Sequence, residues 1–263
     1  MADDTALVDT PLTSVRRIRI DRPELSNSLT PAICGAIASA LADADKDPAV
    51  HVVLIGGTGG RSFCGGYDLG MVGRGVRDEA LQSMLARLRA MTIPSGAVVD
   101  GHAVGAGLDL ACSCDLRVVR RGVKIGLPAV RIGVAYDAGG LRHIIAMVPA
   151  ARRLLLTGEL LPADEVAGFA DITVDAAGPH ATGPGPAGPD AAASVLAGQL
   201  ASAAPASLAY MAAMIRPGAS ARYDVETARL WRNQILDGSD ADEAARVRGT
   251  DEQPRFALRT VRS

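Results

Sequence analysis

Apolar and polar positions along the chain follow two periods, one of strands and one of helices. Residues 14–20 alternate and end in the turn Asp21-Arg22-Pro23-Glu24, which predicts a strand. Thr30-Pro31 sets a capping side chain before a proline at the first helical position. The spacing Ile33, Ile37, Leu41 continues that helix and Asp47-Pro48 stops it. The apolar run over 51–55, closed by Gly56-Gly57, predicts a buried strand. A glycine-rich loop is expected over 56–75 and an amphipathic helix over 78–91, through Leu81, Leu85 and Leu88. Strands over 96–99 and 116–119 enclose a loop over 100–105 and a helix over 106–113. Strand and helix alternate to about residue 150, which argues for α/β layering. Beyond it the pattern is mainly helical, over 150–156, 162–169, 190–203, 207–215 and 221–237. Between them, 176–189 is dense in Gly, Pro and Ala, has no period and reads as a surface loop. There is no internal repeat, and the tail after Gly249 is polar and arginine-bearing.

Composition narrows the function classes. With 263 residues, 48% apolar and 21% charged, the chain can bury a sizeable core, which excludes wholesale disorder. The 27 basic residues against 29 acidic ones leave no excess to grip phosphate backbones, so no nucleic-acid partner is expected. All basic side chains but Lys46 and Lys124 are arginines, apart from four histidines. No window approaches the roughly 18–20 apolar residues of a membrane span, and Met1-Ala2-Asp3-Asp4 lacks a signal pattern, so a soluble cytoplasmic protein is expected. Cys34, Cys64, Cys112 and Cys114 read as small buried hydrophobes of a reducing compartment. None has metal-ligand spacing, and no metal is expected.

Candidate chemistry lies in two glycine-rich stretches. The first is Phe63-Cys64-Gly65-Gly66-Tyr67-Asp68-Leu69. The second is Gly101-His102-Ala103-Val104-Gly105-Ala106-Gly107-Leu108-Asp109. Glycines let backbone approach a ligand and aim N–H groups at it, and the run after Gly107 marks a helix start, whose amides favour a developing anion. Asp109, three residues after Ala106, shares a helix face with that amide. Neither the dinucleotide spacing nor the P-loop ending is present, and tight packing of helix on strand remains an equal reading of the glycines alone.

These stretches, taken in order with Asp21-Arg22-Pro23-Glu24…Asn27, Cys114-Asp115-Leu116-Arg117, Gly126-Leu127-Pro128…Gly133…Gly139-Gly140-Leu141 and Leu156-Thr157-Gly158, resemble the enoyl-CoA hydratase/isomerase (crotonase) superfamily over residues 14–174. The resemblance implies a crotonase-like α/β spiral of ββα repeats over 1–190. It implies a helical C-terminal trimerisation region with a tail over 191–263, assembled as a homotrimer or hexamer. It implies a CoA thioester substrate, as in fatty acid metabolism, with coenzyme A entering as part of the substrate and no cofactor bound permanently. By position, the oxyanion-hole amides are those of Tyr67 and Ala106. CoA is expected along Leu25, Gly66, Tyr67, Asp68 and Leu69 and at Ala106, with its phosphates on Arg22 or other arginines.

The resemblance also carries a departure. Hydratases of the family have two glutamates, where this chain has Asp109 and Ala129. Alanine cannot titrate, so hydration by two glutamates is not expected. Asp137 stands where dienoyl-CoA isomerases carry a proton-transferring Asp and aroyl-CoA dehalogenases a nucleophilic one. Naphthoate synthases have a similar Asp-x-Gly-Gly stretch. It also reads as the N-cap of a helix through Leu141, Ile144 and Ile145. The leading expectation is an enzyme in which the Tyr67 and Ala106 amides polarise the carbonyl while Asp109 and Asp137 move protons, shifting a double bond or supporting a related addition, elimination or ring hydrolysis. The rivals are a non-catalytic acyl-CoA-binding protein, a CoA-thioester hydrolase, and a structural trimer with vestigial pockets. His102 and His143 are minor candidates near the site, while His51 and His180 read as structural or solvated. Tyr136 is a candidate for the acyl-pocket lining, Asp68 for ordering its loop, Trp231 for core or subunit contact, and Phe256 for a neighbouring subunit's CoA site.

Overall fold

The alternation over 14–20 becomes β2 (Val15–Ile20), in which Val15, Ile18 and Ile20 are fully buried. The structure, a computed structural model, describes residues 6–68, 70, 78–175 and 188–256. β2 pairs antiparallel with β1 (Ala6–Leu12) and parallel with β3 (Val52–Gly57). β5 (Ser95–Val99), β7 (Leu116–Arg120) and β10 (Ile172–Val174) extend this sheet in the order β1-β2-β3-β5-β7-β10. β3 and β5 are buried almost throughout, as parallel strands covered on both faces are. A second sheet, ordered β4-β6-β8-β9, joins β4 (Ser62–Cys64), β6 (His102–Val104), β8 (Lys124–Gly126) and β9 (Leu161–Pro162). β3 leads into β4, β5 into β6 and β7 into β8, and a helix follows each of the latter two pairs. This is the expected spiral of ββα repeats.

The helices obey their local signals. In α1 (Pro31–Lys46) the Thr30 hydroxyl accepts the Ile33 amide at 3.3 Å, and Ile33, Cys34, Ile37, Leu41 and Ala44 form the buried face. α2 (Glu79–Arg89) buries Leu81, Met84, Leu85 and Leu88 and packs on α1. Every residue of α3 (Ala106–Ser113) is buried. α4 (Ala138–Met147) and α5 (Arg152–Thr157) complete this half.

Three expectations change. The loop over 100–105 contains β6, and the loop over 56–75 contains β4. No helix runs over 162–169: Pro162 pairs with Lys124 in β9, a single 3-10 turn follows at Ala163–Glu165, and Gly168 takes φ +79° before Phe169 enters the core. Residues 176–187 of the expected loop lie outside the described residues.

In the C-terminal part, α6 (Pro189–Ala201) lays Ala192, Ala193 and Ala197 on the face of the larger sheet that carries Val15, Val52, Leu54, Val98 and Val118. His51, expected to be structural, ties the edge of β3 to this helix through Nδ1, which donates to the Ala201 carbonyl at 3.2 Å. α7 (Pro205–Ile215), α8 (Ala219–Arg222), α9 (Val225–Leu236) and α10 (Ser239–Val247) follow, with Trp231 packed edge-on to Tyr210 at 5.2 Å. Among the described residues no single helix is long and apolar enough to cross a membrane.

Candidate active site

The first glycine bend is held from below by Asn27. This residue is fully buried and sits in the left-handed region at φ 54°, which asparagine tolerates better than most side chains. Its Oδ1 accepts the Arg22 amide at 3.0 Å, and its Nδ2 donates to the carbonyls of Thr58 at 2.9 Å and Ser62 at 2.6 Å. The turn after β2 is thereby fixed to the chain entering β4. The next residues then pair with the bend itself: Gly65 N donates to Ser26 O at 2.8 Å, Leu29 N to Gly66 O at 2.8 Å, and Asp68 N to Leu29 O at 2.9 Å. In such a parallel bridge Leu29 bonds to the residues on either side of Tyr67. The amide of Tyr67 is therefore on the face turned away from Leu29.

The second bend runs from β6 through Gly105, at φ 59°, into α3, and Gly105 N is anchored on Gly126 O at 2.8 Å. The two bends touch backbone to backbone. A Cβ built on Gly66 would stand 3.5 Å from Ala106 N and 3.7 Å from Gly105 Cα, and one on Gly107 would collide with the Cys64 carbonyl. Both glycines are thus fixed by the contact, and the Tyr67 backbone is brought beside the first amide of a helix. The free N–H groups and partial positive charge of that helix end attract a carbonyl oxygen gaining negative charge.

Asp109 lies one turn into α3 and is 0% exposed. The Arg89 guanidinium donates to its Oδ1, with Ser113 Oγ at 3.4 Å, and the Tyr136 hydroxyl donates to its Oδ2 at 3.1 Å. Burial pushes the Asp109 carboxyl above its ordinary range, and Arg89, Tyr136 and Ser113 oppose that shift. The carboxylate expected to meet substrate is therefore enclosed by side chains. Asp137 satisfies its capping reading: Oδ2 accepts Gly140 N at 2.8 Å. Its carboxylate is half-buried, and Gly140 touches both acids, since a Cβ there would collide with Asp109 Oδ2. Ala129 is buried in the 3-10 turn Pro128–Arg131.

Sequence reasoning missed Arg89 and Ser113. A signal for Arg89 was present, because Leu81, Leu85 and Arg89 recur at the i+4 spacing of the buried stripe. A cation on an apolar stripe points to a buried anion.

Leu25 is 51% exposed beside the first bend. Asp68 orders its loop by accepting Gly70 N at 3.0 Å and pairing with Arg22 at 2.9 Å. Arg22 also reaches Ser28 Oγ at 2.9 Å, so the arginine expected to meet CoA phosphates is engaged within the loop. Leu69 and His180 lie outside the described residues. His102 is exposed, and its Nδ1 accepts Lys124 N at 3.0 Å. Burial of part of the ring and the charges of Arg120, Lys124 and Arg61 lower its pKa. His143 Nε2 donates to Cys112 O at 3.1 Å. Phe256 is half-buried at the end of the described tail. All four cysteines are buried, and burial raises the thiol pKa of Cys34, Cys64 and Cys112 to about 12 and pushes that of Cys114 up likewise. A cavity of about 580 Å³ opens at the C-terminal end of α3, lined by Arg89, Ser113, Asp115, His143, Arg216 and Tyr223 among others. It shares Arg89 and Ser113 with the partners of Asp109, but no residue of the two glycine bends lines it.

Residues 12–171, more than half of the chain, match the family model for enoyl-CoA hydratase/isomerase. (E)-Benzylidenesuccinyl-CoA hydratase of Thauera aromatica is 32% identical over 161 residues, 57% of this chain and 62% of that protein. Crotonyl-CoA hydratase of Syntrophomonas wolfei is 32% identical over 154 residues, 56% of this chain and 59% of its own length. The matches thus span about three-fifths of each of these relatives. The crystal structure of an enoyl-CoA hydratase from Mycobacterium tuberculosis superposes with a TM-score of 0.81 at 28% identity, covering 97% of this chain and 99% of that one.

Proposed function

The chain belongs to the enoyl-CoA hydratase/isomerase family, and on that premise we propose that it takes an unsaturated acyl-CoA and moves a proton along the acyl chain. The observation that carries this reading is the backbone contact of the two bends, Gly66 beside Gly105 and Ala106. In the proposed complex the thioester oxygen lies between the amides of Tyr67 and Ala106. Removing an acyl proton sends charge onto that oxygen, and each such donor is worth about 2.7–4 kcal/mol of barrier. Asp137 is the proton carrier: Gly140 N holds Oδ2, and Oδ1 has no hydrogen bond among the described residues. It takes a proton from one carbon and returns it two carbons away, which shifts the double bond. Ala129, buried and without a titratable group, favours this route over two-glutamate hydration. No cofactor beyond the CoA of the substrate is required. The working unit is a homotrimer or hexamer in the cytoplasm.

Asp137→Asn tests the reading. With 2-enoyl- and 3-enoyl-CoA in deuterated water, the variant is expected to lose double-bond transfer and carbon-bound proton exchange by about a hundredfold or more. CoA-ester binding by calorimetry should stay near wild type. Unchanged exchange removes Asp137 from the chemistry. Ala129 together with the enclosed Asp109 favours one second reading, an acyl-CoA-binding protein without turnover. Wild-type binding of CoA esters with no exchange at any carbon would establish that instead.

A further inference from the structure

The cavity of about 580 Å³ at the C-terminal end of α3 takes no part in the chemistry proposed above. It lies where the ends of α2 and α3 meet α4 and the turn from α7 into α8. Its volume falls within the range of small-molecule sites, about 300–1,000 Å³. No residue of the two glycine bends lines it, so it is not the cradle of the thioester oxygen.

Four charged side chains line this cavity: Arg89, Asp115, Arg216 and Arg222. Two of the arginines are answered. Asp115 holds Arg216 with both oxygens, and Asp109, behind the wall, holds Arg89. His143, also in the wall, stays uncharged at pH 7, because burial and then the charge of Arg89 pull its pKa down to about 4. Arg222 is exposed and has no ion pair or hydrogen bond among the described residues. The acids that follow it in sequence are turned elsewhere: Asp224 accepts Thr227 N at 2.7 Å, and Glu226 pairs with Arg229. The wall therefore carries one positive charge that no acid answers.

Hydrogen-bond donors are open as well. Arg89 spends Nε on Ser113 at 2.9 Å and Nη2 on Asp109, and its Nη1 makes no hydrogen bond among the described residues. Carbonyls at the end of a helix would repel an anion, but those nearest are occupied. Cys112 O accepts His143 Nε2 and Cys114 O accepts Arg117 Nη1, each at 3.1 Å. Met91, Met147, Ala213 and Pro217 supply an apolar remainder, and methionines adapt their shape to what they cover.

We propose that this cavity is a second ligand site, which takes a small organic monocarboxylate. The carboxylate pairs with Arg222, with Arg89 Nη1 as a further donor on the same wall, and a flexible apolar body lies along Met91 and Met147. A planar carboxylate matches the fork of a guanidinium, and a monoanion matches the single unanswered charge. A phosphate dianion brings a second charge that the wall does not neutralise.

The test is binding to the full chain, followed by ligand-detected NMR titration, of hexanoate, its neutral counterpart hexanamide, and inorganic phosphate. Wild type is expected to favour hexanoate over either by about tenfold or more, as a charge-assisted pair predicts. Arg222→Gln should erase the preference over hexanamide. Ala221→Trp, at an exposed lining position, should fill the cavity and abolish hexanoate binding while butyryl-CoA binding stays at the wild-type level. Saturating butyryl-CoA should leave hexanoate bound. Equal affinity for hexanoate and hexanamide, tighter binding of phosphate, or wild-type hexanoate binding by Arg222→Gln overturns the inference. Displacement of hexanoate by butyryl-CoA also overturns it, and the acyl-CoA site then stands. Hexanoate binding that depends on Arg222 in a chain that binds no CoA ester would uphold this site and remove the proposed function instead.

Discussion

His143 sits on α4 with Nε2 donating to the Cys112 carbonyl at 3.1 Å. Burial, and next the charge of Arg89, pull its pKa down to about 4. An unfolded histidine titrates near ~6.5, so the unfolded chain accepts a proton that the fold refuses until about pH 4. The stability gained by keeping the ring neutral is therefore complete above the unfolded value and is lost as pH falls from there toward the folded one. The melting temperature of the wild type is expected to drop from pH 7 to pH 5. His143→Gln keeps a donor to Cys112 and should remove much of that slope. Parallel slopes in circular-dichroism melts of the two proteins would show that other groups set the acid sensitivity. The same ring explains why His143 is a poor base for substrate: its Nε2 proton is committed to a main-chain carbonyl, and it lines the cavity that no glycine-bend residue lines.

Between α7 and α8, Arg216 clamps the C-terminal helices to the spiral. Its Nε and Nη2 reach Asp115 Oδ1 and Oδ2, each at 2.7 Å, while the same guanidinium donates to the carbonyls of Met91 and Ile93. Asp115 also accepts Ser95 N at 2.8 Å, so one acid joins the starts of β5 and β7 to a helix pair far along the chain. The two side chains are only 12% and 5% exposed, and removing one leaves the other buried and charged. Arg216→Ala is expected to lower the unfolding free energy by about 3–5 kcal/mol. Hydrogen exchange should rise over Pro205–Ile215 before it rises in β2 or β3; unchanged protection there would mean that the helices dock by other contacts. Contacts of this kind also limit what the sequence reveals. α1 is legible because Thr30-Pro31 and its apolar spacing are local. β4, β6 and β8 are three residues each, too short for a period of two to register, and they exist by pairing with one another. The glycine bends are legible from their order. The Arg89–Asp109–Tyr136 cluster is not, because its members come from α2, α3 and the segment before α4, 20 and 27 residues either side of Asp109.

Across the whole molecule, burial is unevenly distributed. The spiral holds the main apolar core, with Ile18, Ile33, Leu41, Ile55 and Leu85 all at 0% exposure, while Leu25, Val130, Ile132 and Leu156 stay more than half exposed on its surface. The C-terminal helices bury far less. α9 and α10 bury no residue of their own, and Met211, Ile215, Val225, Leu230 and Leu236 are each more than half exposed. Scattered apolar side chains are ordinary on a surface, but five on two neighbouring helices leave an area that water does not favour. The proposed assembly covers it with the same region of other copies, and cyclic closure limits the number of subunits that fit. Light scattering behind gel filtration is therefore expected to give three or six times the 27.0 kDa of one chain. The melting temperature should rise with protein concentration, because association draws on the folded state alone. Replacing Ile215 and Leu230 together by Glu puts charge into that contact, whereas the glycine bends are built from other elements. The double variant should run as a single chain, and its circular-dichroism spectrum should retain the sheet signal. A wild-type mass of one chain at every concentration would show that these helices stay open to solvent, and the assembled state would have to be abandoned.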